Sequence, residues 1–306
     1  MLDLRRIREN EDAIRRALQL KNAAHVDLDG LLALDRERRR LLTEVEQLKN
    51  QRNAVSKEIG LRKKKGEDVA AVMAETRALG DRIAALDEQV RVAGEKLNAV
   101  LLTVPNVPHA SVPEGQDSTG NVVARVVGQP RAFDFKPKPH FEIGDRLGLF
   151  DFERAARMTG AGFPLYLGAG ARLERALINF MIDVHTREHG YREMSPPFVV
   201  NSASMTGTGQ LPKLKDDMYH APVDDLWLIP TAEVPITNYY RDEIIEQPLP
   251  VYFVGYTPCF RREKMSAGRD VRGIKRGHQF EKVEMFVYCE PEQSAAELGA
   301  LVTRAR

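Results

Sequence analysis

Phe260-Arg261-Arg262-Glu263, followed by Arg276-Gly277-His278-Gln279-Phe280 and then Glu284, gathers a guanidinium, an aromatic ring and two carboxylates around one hairpin. That set suits a nucleotide and an amino acid. The guanidinium of Arg261 is a rigid fork of donors, which reaches carboxylate and phosphate oxygens together better than an ammonium does. Phe280 offers a flat face for stacking adenine, and Glu263 a carboxylate that accepts from an amino group of the nucleotide. Taken alone, Phe280 would read as a core aromatic on a strand; the flanking residues give it a ligand. Bringing a carboxylate onto an α-phosphate requires two anions held together and the developing charge stabilised, and Arg261 is the candidate clamp for that step.

A chain of 306 residues with a formal charge of +1 must hold such a site on a substantial core, in two domains. At that charge any nucleic-acid binding has to come from a local basic surface. Cys259 and Cys289 are too few and too far apart for a disulfide framework, and no CxxC pair suggests zinc, so a reducing cytoplasm fits best. The amino terminus lacks the apolar core of a signal peptide, and no apolar run is long enough to span a membrane.

Between residues 31 and 100 the chain has no proline, few aromatics and a dense mixture of Arg, Lys, Glu, Leu and Ala. Spacings alternating three and four run through Leu31, Leu34, Arg38, Leu41, Val45, Leu48, Arg52, Val55 and Ile59. The rhythm resumes through Val69, Val72, Thr76, Leu79, Ile83, Leu86, Val90, Ala93, Leu97 and Val100. Both are coiled-coil seams. Between them, Gly60 and Gly66 are expected to end the first helix and turn the chain, giving an antiparallel hairpin of roughly 45–50 Å at about 1.5 Å per residue. Such an arm most often dimerises or spaces domains. A charge run is usually solvated surface; Arg36, Arg39, Arg40 and the tip Arg62-Lys63-Lys64-Lys65, with arginines at seam positions 38 and 52, are the residues that could instead present cations along one side to a phosphate backbone.

A proline-rich stretch then interrupts the periodicity, so the expected division is an arm over 1–103, a linker over 104–118 and a globular domain over 119–306. Helical spacing returns from 150 to 158 and from 171 to 189, the latter with an apolar stripe of Leu173, Leu177, Phe180, Met181 and Val184. Beyond Gly190, residues 191–200 read as a strand entered through prolines, and 225–230, 251–254 and 282–288 as strands of a mainly antiparallel sheet. The fold class is α+β, a long antiparallel helical hairpin followed by a sheet flanked by helices.

Gly190-Tyr191, Met194 and Pro197 resemble the first signature of class II aminoacyl-tRNA synthetases, and 260–284 resembles the second. Within that class the chain resembles the bacterial-type seryl-tRNA synthetases. The likeness rests on the amino-terminal hairpin, on Thr231-Ala232-Glu233, on Gly207-Thr208-Gly209-Gln210-Leu211-Pro212-Lys213 and on Ser266-Ala267-Gly268-Arg269-Asp270. It implies activation of L-serine with ATP and Mg2+ to seryl-adenylate, then transfer to the 3′ end of tRNA(Ser), with tRNA(Sec) left open. It assigns ATP to Arg261, Arg262, Glu263 and Phe280. It puts Glu284 at the serine hydroxyl, the Thr231-Ala232-Glu233 segment around the amino group, and Arg261 on the carboxylate. A polar pocket is what serine needs, since only unpaired buried groups reject alanine and glycine strongly. The resemblance further implies a cytoplasmic homodimer built on 190–197, including Gly190 and Pro197, and an arm lying across the long variable arm of the tRNA.

Other matches carry less. Lys264-Met265-Ser266 lacks the His-x-Gly-His partner of a class I loop, the Gly-x-Gly pairs at 160 and 168 lack a dinucleotide site's strand and acid, and the histidines have no metal spacing. The sequence stops at Arg306, within helical patterning and before a third class II signature, so it is expected to be incomplete and, as written, impaired or inactive. The alternative reading is a non-catalytic tRNA-binding or regulatory relative, against which the retained Arg261, Glu263, Phe280 and Glu284 argue.

Overall fold

A computed structural model describes residues 2–264 and 272–306; the Ser266 to Asp270 run lies outside the described residues. The chain forms two compact units, Met1–Gly128 and Gln129–Arg306.

In the first unit, α1 (Leu4–Glu9) and α2 (Glu11–Leu20) precede the long helices α3 (Leu28–Lys64) and α4 (Ala70–Leu101). Sequence reasoning missed the two short helices, although α2 carries Ile14, Ala17 and Leu18 at helical spacing. They are held by caps and core: Asp3 accepts from the amides of Arg5 and Arg6, and Ile7 and Ile14 pack with Leu31 and Leu97. Asp35, 1 % exposed on α3, accepts from Arg8 and Arg39, each at 3.1 Å, which ties α1 to the hairpin base through charge-assisted bonds. Every seam position from Leu31 to Ile59 and from Val69 to Val100 is buried or half-buried. Leu41, Val45, Leu86 and Ala93 make the central layer, and Lys49–Asp87 and Arg82–Glu44 cross between the helices at 2.9 and 2.7 Å. Toward the tip most seam residues are only half-buried, Val69 excepted, because each of two helices covers one stripe of the other and nothing more. The expected break at Gly60 does not occur; α3 runs through it, a penalty of about 1 kcal/mol relative to alanine that a 37-residue helix absorbs. The reversal falls at Gly66, whose φ of +75° suits a residue without a Cβ.

The second unit begins with α5 (His140–Arg146), α6 (Phe152–Thr159) and α7 (Ala169–Arg187). After them come β1 (Arg192–Glu193), β2 (Val199–Asn201), α8 (Ser202–Gly207), β3 (His220–Ala221), β4 (Leu226–Leu228) and α9 (Glu233–Thr237). The long strands β5 (Val251–Phe260) and β6 (Gln279–Tyr288) and helix α10 (Ser294–Arg304) complete it. Strands β5 and β6 pair antiparallel over their full length, from Val251↔Tyr288 to Phe260↔Gln279, and β1 joins the β5 edge in parallel. A second antiparallel sheet has the order β2-β4-β3. The single strand expected over 191–200 is thus two strands in two sheets. Pro196 and Pro197, which have no amide hydrogen to give a ladder, separate them and let the chain leave one sheet for the other. The apolar stripe of α7 is amphipathic as read, yet Leu173, Leu177 and Phe180 remain 56, 49 and 65 % exposed.

Candidate active site

Strand periodicity decides which side chains meet. Along β6, Phe280, Lys282 and Glu284 fall on one face, opposite Cys259, Thr257 and Gly255 of β5. All three β5 partners are small and buried, so the larger β6 side chains stand above a low floor. The amide of Phe260 donates to the carbonyl of Ile229 at 2.9 Å, which anchors the end of β5 beside the segment 229–233 that leads into α9. Burial pushes the Cys259 thiol up from its usual range, so it serves as a small packing residue.

Two clefts open on this face. One, of about 620 Å³, is lined by Arg261, Glu263, Ile274, Lys275, Arg276, Gly277 and Phe280. The other, of about 530 Å³, is bounded by Thr231, Glu233, Lys282 and Glu284, with Gln210, Asp217 and Met218 on its far wall. Both volumes suit small-molecule ligands. Arg261, Glu263 and Arg276 belong to both walls. The Arg261 guanidinium lies 5.1 Å over the ring of Phe280 and donates through Nε to the carbonyl of Pro230 at 3.2 Å. Among the described residues its terminal nitrogens make no hydrogen bond, so the fork is oriented from behind and open in front. Glu263 is paired with Arg276 at 3.2 Å and has a φ of +51°, a left-handed backbone rare outside glycine.

The second cleft holds a closed network of polar groups. Glu284 Oε2 accepts from the Thr231 hydroxyl at 2.6 Å, from the Glu233 amide at 3.1 Å and from the Lys282 ammonium at 2.9 Å. The Lys282 ammonium also donates to Thr231 Oγ1 at 2.6 Å, which orients the threonine proton toward the carboxylate. Burial pushes the Glu233 carboxyl above the usual carboxylate range; neighbouring Glu284 adds to the rise and Lys282 opposes it.

The structure brings Arg261, Glu263, Phe280, Thr231, Glu233 and Glu284 together around these two clefts. Ala232 is fully buried and contributes packing beneath them. Arg262 points elsewhere: its guanidinium lies 4.5 Å over the Tyr219 ring and donates to the carbonyl of Met218, so it braces the 217–219 wall and lines neither cleft. On the arm, Arg39 and Arg40 pair with Asp35 and Glu44, and Arg62 with Glu58, while Lys63, Lys64 and Lys65 are exposed without an ion pair among the described residues. Gly190 has a φ of +74° and ends the turn after α7; Pro197 lies between β1 and β2. Sequence reasoning missed Lys282, Arg276 and Asp217 as site residues. For Lys282 the signal was present, since a residue two before Glu284 on a strand shares its face.

Comparison with known proteins adds an independent finding. The model of the seryl-tRNA synthetase N-terminal domain matches residues 1–108, and that of the tRNA synthetase class II core domain (G, H, P, S and T) matches residues 217–306. The serine–tRNA ligase of Alkaliphilus oremlandii is 55 % identical over all 306 residues, which span 72 % of its length. That of Thermomicrobium roseum is also 55 % identical, with 68 % of its length covered. Among solved structures, seryl-tRNA synthetase from Pyrococcus horikoshii, complexed with ATP, superposes with a TM-score of 0.89 at 35 % identity, covering 99 % of this chain and 73 % of that one. The cytoplasmic serine–tRNA ligase of Naegleria fowleri, in complex with AMP, gives 0.82 at 26 % identity, covering 99 % and 71 %.

Proposed function

From the premise that this chain belongs to the seryl-tRNA synthetase family, we propose that its two clefts divide the ligation of serine to tRNA between them. The chain is a class II serine–tRNA ligase using ATP. Phe280 and Glu263 bind the adenine, by stacking and by accepting from its amino group. The serine enters the second cleft, its hydroxyl on Glu284 and its amino group toward Thr231 and Glu233. A serine carboxylate oxygen then attacks the α-phosphorus, the bond to the bridging oxygen of pyrophosphate breaks, and seryl-adenylate is left. In the second step a terminal hydroxyl of the tRNA attacks the serine carbonyl and AMP departs. The observation that carries this reading is the position of Arg261 in both walls, its fork held by Pro230 and Phe280 and open toward the junction where the two anions meet.

Among the described residues no three His, Cys, Asp or Glu side chains gather as metal ligands. Magnesium would be carried on the ATP phosphates, neutralising their charge when bound. The uncovered apolar stripe of α7, leading into Gly190 and Pro197, supports a homodimer through this face. No described helix is long and apolar enough to cross a membrane, and free Cys259 and Cys289 fit a reducing cytoplasm.

The arm is assigned to tRNA(Ser), with the exposed Lys63, Lys64 and Lys65 at its tip. Removal of residues 31–100 from the protein as its own cells make it is expected to leave serine-dependent pyrophosphate exchange within about twofold. Charging of tRNA should fall by at least roughly tenfold, and its salt dependence should flatten, because a few phosphate contacts carry a slope near one each. Equal charging by the trimmed and parent proteins would refute the assignment. Absence of serine-dependent exchange in the parent would refute the ligase reading itself.

A further inference from the structure

We propose that Lys282 is a positioning residue of the amino-acid cleft: it holds Glu284 so that one carboxylate oxygen is saturated by the protein and the other is presented to the substrate hydroxyl. The inference rests on the ligase reading above. Three donors converge on Glu284 Oε2, from Thr231, Glu233 and Lys282, whereas Oε1 makes no hydrogen bond among the described residues. An oxygen already accepting three bonds has no capacity left for a ligand, so the free one must be the one offered. Lys282 fixes this asymmetry from two sides. Its ammonium, 2.9 Å from Oε2 and 2.6 Å from Thr231 Oγ1, is the shorter of two donors on the hydroxyl's acceptor side, the Glu233 amide standing at 3.3 Å, and together they leave the single proton to Glu284. Without Lys282 the threonine hydroxyl keeps only the longer bond from the Glu233 amide and Oε2 loses its charged donor, so the carboxylate is held less firmly and the distinction between the two oxygens weakens.

A second consequence concerns charge. The Glu233 carboxyl, raised by burial and by Glu284, is opposed by Lys282. The other charged groups around the cleft are Asp217, Arg261, Glu263 and Arg276. A carboxyl that protonates at higher pH loses its attraction for the amino group of serine at higher pH, so removing the lysine moves the acid limb of serine binding upward.

The test compares Lys282→Met and Lys282→Arg with the parent in serine-dependent pyrophosphate exchange across pH, using the native full-length protein. For Lys282→Met the KM for serine should rise by roughly 10- to 100-fold, the scale of one charge-assisted bond. The KM for ATP should stay unchanged, the acid limb should shift to higher pH, and the preference for serine over alanine should fall. Lys282→Arg, which keeps the charge, should recover part of the serine KM and most of the pH profile. An unchanged serine KM and pH profile in Lys282→Met would overturn the proposal. So would a parallel loss of serine and ATP affinity unrelieved by arginine, since that marks a scaffold role only. A parent that exchanges without serine dependence would refute the underlying ligase reading, and this would be seen before any substitution is compared.

Discussion

Arg261→Ala is expected to remove serine-dependent pyrophosphate exchange by about three orders of magnitude, with tRNA affinity unchanged. The side chain has been given its orientation before any ligand arrives: Nε is committed to the Pro230 carbonyl at 3.2 Å and the flat of the guanidinium to Phe280. A preorganised donor aimed at developing charge is worth roughly 10²–10³ in rate when one bond is lost, and this group offers two or more to two anions at once. Arg261→Lys separates charge from geometry. A lysine restores the cation but neither the fork nor the stacking, so it should recover a minor share of the rate. The check is kcat and KM for serine and ATP in the exchange assay, beside a tRNA-binding titration. Full exchange by the alanine variant would remove Arg261 from the chemistry. The tRNA arm belongs to a separate compact unit, which is why binding of the nucleic acid should not follow the loss of activation.

Glu284→Ala is expected to lower kcat/KM for serine by roughly 10³-fold or more and to erase most of the preference for serine over alanine. The reason lies in what the truncation leaves behind. Thr231, the Glu233 amide and the Lys282 ammonium all lose their shared acceptor, and the substrate hydroxyl enters a cleft with no partner for it. Sites built around a substrate hydroxyl owe about 10⁴–10⁵ of discrimination to such a partner. Stability should fall as well, by about 2 kcal/mol, because the stranded lysine is only partly open to water, the threonine is buried and the lost bonds are charge-assisted. Glu284→Gln keeps the shape and one carbonyl acceptor, so it should recover folding more completely than activity. Serine and alanine kinetics together with a urea melt separate the two effects, and a variant that still rejects alanine would exclude Glu284 from selection.

Much of this was legible in the chain. The seams of the arm were readable because a two-helix hairpin obeys a one-dimensional rule, in which every third or fourth residue faces the partner; Leu41, Val45, Leu86 and Ala93 stand where the rhythm put them. The β5–β6 pair was legible in part: alternation marked 251–254 and 282–288, while the rest of each ten-residue strand was not read. Gly60 misled because a glycine is a helix end only where the chain has another reason to turn, and the hairpin contacts on either side of it gave none. Residues 191–200 misled for the opposite reason: proline denies an amide to one ladder, but which sheet receives the next residues depends on β4 and β5, far along the sequence. Arg262 illustrates the limit for sites. Its neighbour Arg261 shares its chemistry, and only the tertiary position of Tyr219 sends one guanidinium outward to brace a wall and leaves the other in the clefts. The Lys282 network depends in the same way on Thr231, 51 residues earlier in the chain.

The left-handed backbone at Glu263 bears on how such a protein drifts. Glycine would sit there without conformational penalty, and the strain it relieves, about 1 kcal/mol, is comparable with what is forfeited when the partly exposed pair with Arg276 disappears. The exchange would relieve the backbone at the cost of the ion pair with Arg276 and, on the proposed reading, of the acceptor offered to adenine. A single A-to-G transition in a glutamate codon makes it. Selection on turnover would remove such an allele. On the proposed reading, a duplicated copy relieved of its duty in translation can lose its hold on adenine at one nucleotide while the arm, a separate compact unit, persists.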